Sequence, residues 1–393
     1  MAEIALFHPG IMRHGGGESV AAHTIEALTD RHSLTVFSLD EPNVKELNKR
    51  HGTDIRPEEI QYQNPLPILN RTLRPSITVV NEFLGSSLQL DALASALIQA
   101  VTSYRSFAEY DLFFSTSNEF VTNTPVIQYI HFPIYSSFQH ARFEPWAPSK
   151  KYRLYRSICR RVAGAEDMMN KGSTFVANSN WTANLVRESY NTDVEVVYPP
   201  VRTSDFDPND WMEKEDGFIA IGRIHPSKKQ KTIIEILDRL HKRGASYHLH
   251  LVGGIGSESY AAEVRKLAES RPYVHLEGYL DREEMVELVE KHKYGLHGRQ
   301  YEHFGISVAE LVAGGCIPFV PDGGGQVEIV GKRSQLMYEN PSQAVEKILS
   351  VTGNQHLQRD IQKELRGHCL DFSTDRFKKK IQSLVSSELS GCN

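Results

Sequence analysis

The chain has 393 residues, of which 40% are hydrophobic and 24% are charged, and its formal net charge is -5. This length is more than one hydrophobic core ordinarily holds and suits two domains of ordinary globular composition. The negative net charge excludes a global basic field, so no nucleic-acid partner is expected.

The N-terminus and the cysteines indicate the cellular setting. Residues 1–10 lack the basic start and long apolar run of a secretory signal, and no apolar run reaches the roughly 18 residues of a membrane span. The four cysteines are scattered without a Cys-x-x-Cys pair, so neither a zinc site nor a disulfide framework is indicated. We therefore expect a cytoplasmic protein, with any membrane contact made peripherally.

The first half of the chain alternates strand-like and helix-like segments. Strands are predicted at residues 4–8, 34–39, 112–116, 126–132, 175–178 and 194–198, and helices at residues 18–29 and 88–104. The polar, proline-bearing stretch at residues 199–210 reads as a linker, and we place the domain boundary between residues 202 and 203.

The second half repeats this alternation. Strands are predicted at residues 218–222, 247–252, 274–279, 295–297 and 317–320, and helices at residues 228–243, 260–269, 282–291 and 307–312. The pattern predicts an α/β protein of two Rossmann-like domains, residues 1–202 and 203–372, with a cleft between them that holds ligands at the carboxyl ends of the strands. Whether a C-terminal helix at residues 373–390 packs back on the first domain is left open.

The segment from Glu302 to Glu310, with sequence EHFGISVAE, is the strongest local signal. Gly305 and Ser307 lie where a loop becomes a helix, and the N–H groups of a helix N-terminus suit a phosphate. Two carboxylates that bracket this terminus could bind hydroxyls on either side of a diphosphate. The alternative is that Glu302 is a solvated loop residue and Glu310 a surface helix residue.

A basic turn follows the first strand of the second domain. Arg223 comes directly after the strand, and Lys228 is expected to open the next helix. Two cations at the carboxyl end of a strand can stabilise a leaving diphosphate without a metal ion. The alternative is a solvated basic turn.

Two features of the first domain are weaker. Gly15, Gly16 and Gly17 lie between the first strand and the first helix, where glycines allow a backbone to approach a ligand, although the dinucleotide and P-loop patterns do not fit. His131 ends a strand just before a proline, an active-site position in such sheets. A lone histidine can equally be a structural hydrogen-bonding residue.

Two further segments can each be interpreted as functional or as purely structural. Asp205-Phe-Asp207 matches an Asp-x-Asp metal motif but lies in the linker, so we read it as linker polarity and predict no metal site. Residues 150–162 project as an amphipathic helix with five cations on one face and four other residues on the opposite face. The cations are Lys150, Arg153, Arg156, Arg160 and Arg161, and the opposite face carries Tyr155, Ile158, Cys159 and Val162. This helix could lie on an anionic membrane or pack on its own domain.

Taken together, these residues resemble glycosyltransferase family 4. The turn from Gly222 to Lys228, Gly253 after an apolar strand, Glu277-Gly-Tyr279 and the Glu302-x7-Glu310 motif occur in that family's order and approximate spacing. The resemblance implies a GT-B fold and a metal-independent, retaining glycosyltransferase that needs no cofactor. In many members of that family glycine follows the lysine of the turn, whereas here Lys229 does.

A narrower resemblance concerns segments of the first domain, among them Tyr129-Ile-His-Phe-Pro133 and Val197-Tyr-Pro-Pro-Val201. These are similar to α-1,2-mannosyltransferases that use GDP-mannose to extend a lipid-linked oligosaccharide. The partners this implies are a nucleotide-sugar donor, GDP-mannose ahead of a UDP-sugar, and a glycan, lipid-linked or small-molecule acceptor.

The resemblance also assigns roles. It implies Glu302, His131, Arg223 and Lys228 as catalytic residues, with Glu302 on the sugar and Glu310 on the ribose. The expected donor-binding set is Gly16, Gly17, Arg223, Lys228, Gly253, Tyr279, Leu280, Glu302, His303, Phe304, Gly305, Ile306, Ser307 and Glu310. Two rival functions are a GT-B-type nucleotide-sugar epimerase and a non-catalytic carbohydrate-binding GT-B protein.

Overall fold

The structure is a computed structural model that describes residues 1–65, 96, 100, 109–120, 125–136, 140, 150–164 and 173–391. Two compact units make up the chain: unit 1 contains residues 1–200 and 375–393, and unit 2 contains residues 201–374. The boundary lies two residues before the predicted one. The helix predicted at residues 88–104 lies outside the described residues.

Unit 1 is built on a parallel seven-stranded sheet. Its strands are β1 (Glu3–Phe7), β2 (Ser33–Phe37), β3 (Ile60–Gln63), β4 (Leu112–Ser115), β5 (Val126–Ile130), β6 (Ser173–Ala177) and β7 (Val194–Val196). They run in the order β3-β2-β1-β4-β5-β6-β7, and every pair is parallel. Residues of β1, β4 and β5 are almost wholly buried because a parallel sheet is covered on both faces.

Among the described residues of unit 1, four helices connect these strands: α1 (Gly16–Thr29), α2 (Val44–His51), α3 (Lys150–Val162) and α4 (Asn180–Tyr190). Helices α2 and α4 and strand β3 were not predicted. Their ends are nevertheless well signalled, since the Asn43 side chain accepts a hydrogen bond from the Glu46 N–H at the start of α2, and Ser179 caps α4 in the same way.

Unit 2 has a parallel six-stranded sheet. Its strands are β8 (Glu215–Ile221), β9 (His248–Val252), β10 (Val274–Gly278), β11 (His292–Leu296), β12 (Ile317–Pro321) and β13 (Met337–Tyr338), in the order β10-β9-β8-β11-β12-β13. The connecting helices are α5 (Gln230–Lys242), α6 (Glu258–Glu269), α7 (Arg282–Lys291), α8 (Ile306–Ala313), α9 (Gln326–Ile329), α10 (Pro341–Thr352) and α11 (Gln355–Cys369). The carboxyl ends of β8 to β11 lie along one edge of this sheet and carry the candidate residues.

The C-terminal helix α12 (Thr374–Gly391) belongs to unit 1. Its buried residues Phe377, Ile381, Leu384 and Val385 are part of the core that also contains residues of β1, β2 and α1. The Gln382 amide donates to the Ala27 carbonyl at 2.8 Å, and the Lys378 ammonium lies 3.4 Å from a Glu26 carboxylate oxygen. The helix therefore completes the core of unit 1.

Candidate active site

The two main motifs of unit 2 meet at the edge of its sheet. The Nζ atom of Lys228 lies 2.7 Å from Oε2 of Glu302, and the side chains are 22% and 14% exposed. The Glu302 carboxylate also has His297 Nε2 at 3.3 Å and Arg299 Nη1 at 3.5 Å. One carboxylate thus lies among three groups that are cationic or can become so.

These neighbours set the protonation state of Glu302. Burial by itself would raise the pKa of Glu302, but the Lys228 charge, the contact with His297 and the Arg299 charge lower that pKa well below its usual value. Burial is also the largest influence on His297 and lowers its pKa, although Glu302 opposes the shift. Glu302 is therefore ionised at neutral pH and available as a hydrogen-bond acceptor.

The basic turn differs from its prediction in one respect. Lys228 ends a short 3₁₀ turn, Pro226–Lys228, and α5 begins only at Gln230. Lys229 separates the two because it lies in the left-handed region, with φ 57° and ψ 34°. Arg223 is exposed, and no ion pair joins its guanidinium to a carboxylate of the described residues. This leaves the Arg223 charge available to a ligand.

The start of α8 offers backbone donors. Gly305 caps the helix with φ 109° and ψ 58°, in the left-handed region that glycine adopts most readily. Within the described part of the chain, no carbonyl or side chain accepts from the N–H groups of Ile306 and Ser307. The preceding loop is anchored by Phe304, which is only 3% exposed and packs edge-on against Phe372.

A glycine segment that the sequence analysis missed supports this loop. Gly323, Gly324 and Gly325 follow β12, and the Gly325 N–H donates to the Glu302 carbonyl at 2.7 Å. A Cβ atom on Gly325 would lie 2.3 Å from the carbonyl oxygen of His303, which no side chain tolerates. The loop from Glu302 to Gly305 is therefore held by close backbone packing.

Glu310 is held by an arginine that the sequence did not indicate. The Arg282 guanidinium pairs with Glu310 Oε1 through Nη1 at 2.5 Å and with Asp205 Oδ2 through Nε at 2.7 Å. It also lies over the Phe206 ring, 5.1 Å from the centroid. Asp205, interpreted from the sequence as linker polarity, is thus an ion-pair partner at the start of unit 2.

The ends of β9 and β10 carry the other predicted donor residues. Gly253, with φ 147°, donates its N–H to the Gly278 carbonyl at 2.7 Å. A Cβ atom on Gly253 would lie 2.3 Å from the Gly222 carbonyl oxygen, so only glycine allows these strand ends to approach so closely. Tyr279 is 80% exposed, and Leu280 beside it is partly exposed.

In unit 1, His131 follows β5 directly and lies beside the start of α1. A Cβ atom built on Gly17 would be 3.5 Å from Nε2 of His131, and Gly16 is the first residue of the helix. The Nε2–H group of His131 donates to the Thr116 carbonyl oxygen at 3.0 Å. The Asn118 amide oxygen accepts from the N–H groups of His131 and Phe132 at 2.7 and 3.0 Å, which orients the loop.

A second histidine near α1 escaped the sequence analysis. His8 follows β1, accepts or donates a 2.9 Å hydrogen bond with Thr116 Oγ1, and lies 3.9 Å from Glu18. Burial by itself would raise the pKa of Glu18, but the hydrogen bond and charge of His8 lower it. His8 and His131 are therefore neighbours at the carboxyl edge of the unit 1 sheet.

Helix α3 differs in part from its predicted amphipathic pattern. Cys159 is buried, and Tyr155 and Val162 pack against the same core cluster, as predicted. Ile158 is 48% exposed, however, and Leu154 one turn earlier is 65% exposed. Arg160 is partly exposed and Arg161 exposed, whereas the side chains of Lys150, Arg153 and Arg156 lie outside the described residues.

The described helices include none that is both long and apolar enough to span a membrane.

Two family models match the chain. The model described as glycosyl transferases group 1 matches residues 201–368, and the model for glycosyltransferase family 4 matches residues 14–205. The matched segments follow the two units closely.

Two curated relatives align with this chain over most of their length. The human protein named GDP-Man:Man(3)GlcNAc(2)-PP-Dol alpha-1,2-mannosyltransferase is 24% identical, with 97% of this chain and 86% of the human protein aligned. The protein of the same name from Dictyostelium discoideum is 21% identical, with 99% and 86% aligned.

Solved structures show the same architecture. Anabaena HepE in complex with UDP and glucose has a TM-score of 0.67 at 15% identity, covering 98% of this chain and 100% of HepE. Sucrose-phosphate synthase from Thermosynechococcus elongatus has a TM-score of 0.68 at 15% identity, and the alignment covers 100% of each chain. WaaG, a glycosyltransferase involved in lipopolysaccharide biosynthesis, has a TM-score of 0.65 at 14% identity and 97% coverage of this chain. The predicted GT-B fold is confirmed.

Proposed function

We propose that this chain, a glycosyltransferase of family 4, transfers mannose from GDP-mannose to a lipid-linked glycan with retention at the anomeric carbon. The names of the relatives that align over nearly the whole chain support this donor and this acceptor. The observation that carries the proposal is the 2.7 Å pair of Lys228 and Glu302, together with the exposed Arg223 in the same basic turn as Lys228. A UDP-sugar is the alternative donor, because the neighbour HepE binds UDP.

The chemistry requires a site for developing negative charge. The bond between the anomeric carbon and the phosphate oxygen breaks, the acceptor oxygen bonds to that carbon on the same face, and the acceptor proton passes to the leaving phosphate. Arg223, Lys228 and the N–H groups of Ile306 and Ser307 offset the charge on the phosphate. One such preorganised donor is commonly worth about 10²–10³ in rate.

The ion pair of Lys228 and Glu302 has a specific part in this proposal. While no donor is bound, Glu302 neutralises Lys228 and holds it at the edge of the sheet. With a donor bound, the lysine charge serves the phosphate and the carboxylate accepts hydrogen bonds from sugar hydroxyls. Arg299 and His297 keep Glu302 ionised in both states because they also lie against it.

The roles proposed for the remaining donor groups are those that the resemblance to glycosyltransferase family 4 implies. Glu310, held by Arg282, binds the ribose hydroxyls, and the backbone of Tyr279 and Leu280 meets the base. His303 and Gly305 line the loop that approaches the phosphates, and Gly253 allows the close approach at the neighbouring strand end. In unit 1, Gly16, Gly17 and His131 serve the sugar and the acceptor.

The transfer itself needs no metal ion or cofactor in this proposal. The cationic turn and the helix N-terminus supply the stabilisation that a bound Mg²⁺ or Mn²⁺ supplies in other transferases. Activity in excess EDTA tests this directly. Loss of activity with the chelator, restored by either cation, would refute it.

A peripheral contact with an anionic bilayer, from the cytoplasmic side, completes the proposal. Leu154 and Ile158 are exposed one turn apart on α3, with Arg161 exposed on the same helix. Exposed apolar side chains next to cations are typical of helices that lie in a membrane interface. A lipid-linked acceptor would be met at such a surface.

The experiment that tests the proposal is a donor panel. Purified protein is mixed with GDP, UDP and ADP, each free and as its mannose or glucose derivative, and thermal unfolding is measured. A ligand at 100 times its Kd adds about 2.7 kcal/mol of stability. We expect the largest shift with GDP-mannose, and transfer of labelled mannose to a lipid-linked glycan acceptor.

Product analysis separates the rival functions. An epimerase would change the configuration of the donor sugar without any acceptor, and a non-catalytic protein would leave the donor intact. A larger shift with a UDP-sugar than with GDP-mannose would replace the proposed donor. Retention is checked by the anomeric configuration of the isolated product.

A further inference from the structure

Unit 2 carries a histidine cluster at the edge of its sheet opposite the candidate active site. His248 and His250 lie on β9, and His292 is the first residue of β11. One ring nitrogen from each of the three lies within 4.8 Å of the others. The strands are parallel, so these residues lie toward the amino ends of the strands whose carboxyl ends carry Arg223 and Glu302. The cluster is therefore separate from the proposed donor site.

A glycine between the strands allows the rings to meet. In the sheet, β8 lies between β9 and β11, and Gly217 of β8 pairs with His248. Since neighbouring strands are about 4.8 Å apart, β9 and β11 are about twice that distance from each other. The Nε2 atoms of His248 and His292 nevertheless lie 2.9 Å apart. A Cβ atom on Gly217 would be 2.2 Å from His248 Nε2, so any side chain there would displace the ring.

Hydrogen bonds orient two of the rings toward the cluster. The Nδ1–H group of His292 donates to the Leu288 carbonyl oxygen at 2.6 Å, and that of His250 donates to Glu277 Oε1 at 2.7 Å. Because both partners are acceptors only, each ring keeps an unprotonated Nε2 in its neutral form. An imidazole whose other nitrogen donates to a carbonyl or a carboxylate is the usual arrangement of a metal-bound histidine.

A carboxylate lies beside the nitrogens of two of these histidines. Glu215 Oε2 is 3.5 Å from His248 Nε2 and 4.0 Å from His292 Nε2. Glu215 begins β8, and its side chain is 57% exposed, so an ion can reach this position from solvent. Three imidazole nitrogens and one carboxylate oxygen thus converge from three adjacent strands.

We propose that unit 2 binds one Zn²⁺ ion at this cluster, with His248, His250, His292 and Glu215 as ligands. Imidazole and carboxylate ligands suit Zn²⁺, whose usual four-coordinate geometry needs Zn–N distances near 2.0–2.1 Å. At that distance the two Nε2 atoms would stand about 3.3 Å apart, a small widening of the observed 2.9 Å. The ion joins β9, β8 and β11 at their amino ends and takes no part in sugar transfer.

The test is metal binding by the full chain, purified without a histidine tag and stripped with EDTA. Equilibrium dialysis against Zn²⁺ is expected to give about one tightly bound ion per chain, since the cluster supplies four ligands. Co²⁺ in place of Zn²⁺ is expected to show the visible absorption of a tetrahedral site. Zn²⁺ in excess of its Kd is expected to raise Tm by several degrees.

Variants assign the ion to this cluster. His248→Ala and His250→Ala are expected to remove the tight ion, and Glu277→Gln to weaken binding by about 10–100-fold through the orientation of His250. Gly217→Ala changes no ligand but displaces the His248 ring, and it is expected to weaken binding as well. His356→Ala, at an exposed histidine elsewhere in unit 2, is the matched control and is expected to bind normally.

Two results would overturn the proposal. The first is wild-type protein that takes up no Zn²⁺ at micromolar concentrations while remaining folded. The second is a double variant, His248→Ala with His250→Ala, that binds one ion as tightly as the wild type. Both readouts are independent of transferase activity, so a different donor or acceptor would leave them unchanged.

Discussion

The Nζ atom of Lys228 lies 2.7 Å from Oε2 of Glu302, although 74 positions separate the two residues in the sequence. The pair joins the turn after β8 to the loop before α8, at neighbouring strand ends. The Lys228 charge helps to keep the largely buried Glu302 carboxyl ionised, because it lowers the pKa of that group. Lys228 and Glu302 therefore form a neutral pair before a donor arrives, and Arg223 and Arg299 add positive charge for a phosphate.

We expect Glu302→Ala and Lys228→Ala to reduce transfer by at least about 10²–10³-fold while the protein stays folded, because each removes a group proposed to contact the donor. Initial rates with donor and acceptor in excess give the measurement, and circular dichroism checks folding. Lys231→Ala is the matched control, since Lys231 pairs with Glu263 at the same 2.7 Å on the exposed surface of unit 2. Rates near the wild-type value in either site variant would contradict the assignment.

The lowered pKa of Glu302 predicts a pH dependence of stability. In the unfolded chain this carboxyl takes up its proton near its usual pKa of 4.5, whereas in the folded chain it stays ionised to lower pH. Its contribution is therefore complete above about pH 4.5 and is lost as pH falls toward the folded pKa, at about 1.4 kcal/mol per pH unit. Urea unfolding of the wild type and Glu302→Gln between neutral and acid pH measures the difference.

The control for this experiment is Glu263→Gln, whose carboxylate is exposed and, among the described residues, forms an ion pair with Lys231 alone. Its stability difference from the wild type is expected to change little with pH. A difference between the wild type and Glu302→Gln that stays constant on acidification would show that the Glu302 pKa is not lowered.

Lys229→Gly is expected to leave the fold intact and to stabilise it by up to about 1 kcal/mol. Lys229 has φ 57°, and a non-glycine residue in the left-handed region costs about 1–2 kcal/mol of folding free energy. Glycine avoids this cost but loses more backbone entropy on folding, so only part of it is recovered. Lys242→Gly, in the last turn of α5, is expected to destabilise by about 0.5–1 kcal/mol. Equal losses in both variants would refute the conformational argument.

Arg282 is expected to act as a positioning residue for Glu310. Arg282→Met frees the carboxylate from its partner, so we expect the KM for the donor to rise about tenfold with a smaller change in kcat. Arg282→Lys should restore part of the loss. Arg271→Met removes a similarly buried pair, Arg271 with Asp238 at 2.7 Å, and should leave the KM unchanged. An unchanged KM in Arg282→Met would show that the position of Glu310 set by Arg282 does not matter for donor binding.

Vesicle sedimentation tests the membrane contact of α3. Wild-type protein is expected to bind anionic vesicles at low salt and to release in high salt, because the cations contribute about 1 kcal/mol each near such a surface. Leu154→Ser with Ile158→Ser should weaken binding about tenfold or more through lost apolar burial. Leu370→Ser, at a leucine of unit 2 that is 68% exposed, is the control. If the wild-type protein does not bind these vesicles at low salt, the membrane proposal is refuted and the transferase proposal is unaffected.

The alternation of apolar strands and amphipathic helices was sufficient to predict the α/β architecture of unit 2, because burial on both faces leaves a clear pattern. Helix α2 was missed because Val44 and Leu47 are its only buried apolar residues. For Lys228 and Glu302, the sequence predicted only that both residues lie at the carboxyl edge of the same sheet. The direct contact depends on the fold of the intervening chain.

The contacts of Arg282 and of the histidine cluster could not be predicted from the sequence. Nothing near Arg282 in the sequence distinguishes it from the other surface arginines, and its partners lie 77 and 28 positions away. His248 and His250 did carry a signal, since residues two apart on a strand share a face. Their neighbour His292 and the gap at Gly217 become visible only when the strand order is known.

The return of α12 to unit 1 has a consequence for synthesis of the chain. Unit 2 is one continuous segment, residues 201–374, and can reach its final form as soon as it leaves the ribosome. Unit 1 needs Phe377, Ile381 and Val385, which are translated after all of unit 2. The part of unit 1 that is synthesised first therefore keeps an exposed apolar face until α12 is made. A premature stop codon just before residue 375 would thus destabilise unit 1, although that unit is translated before unit 2.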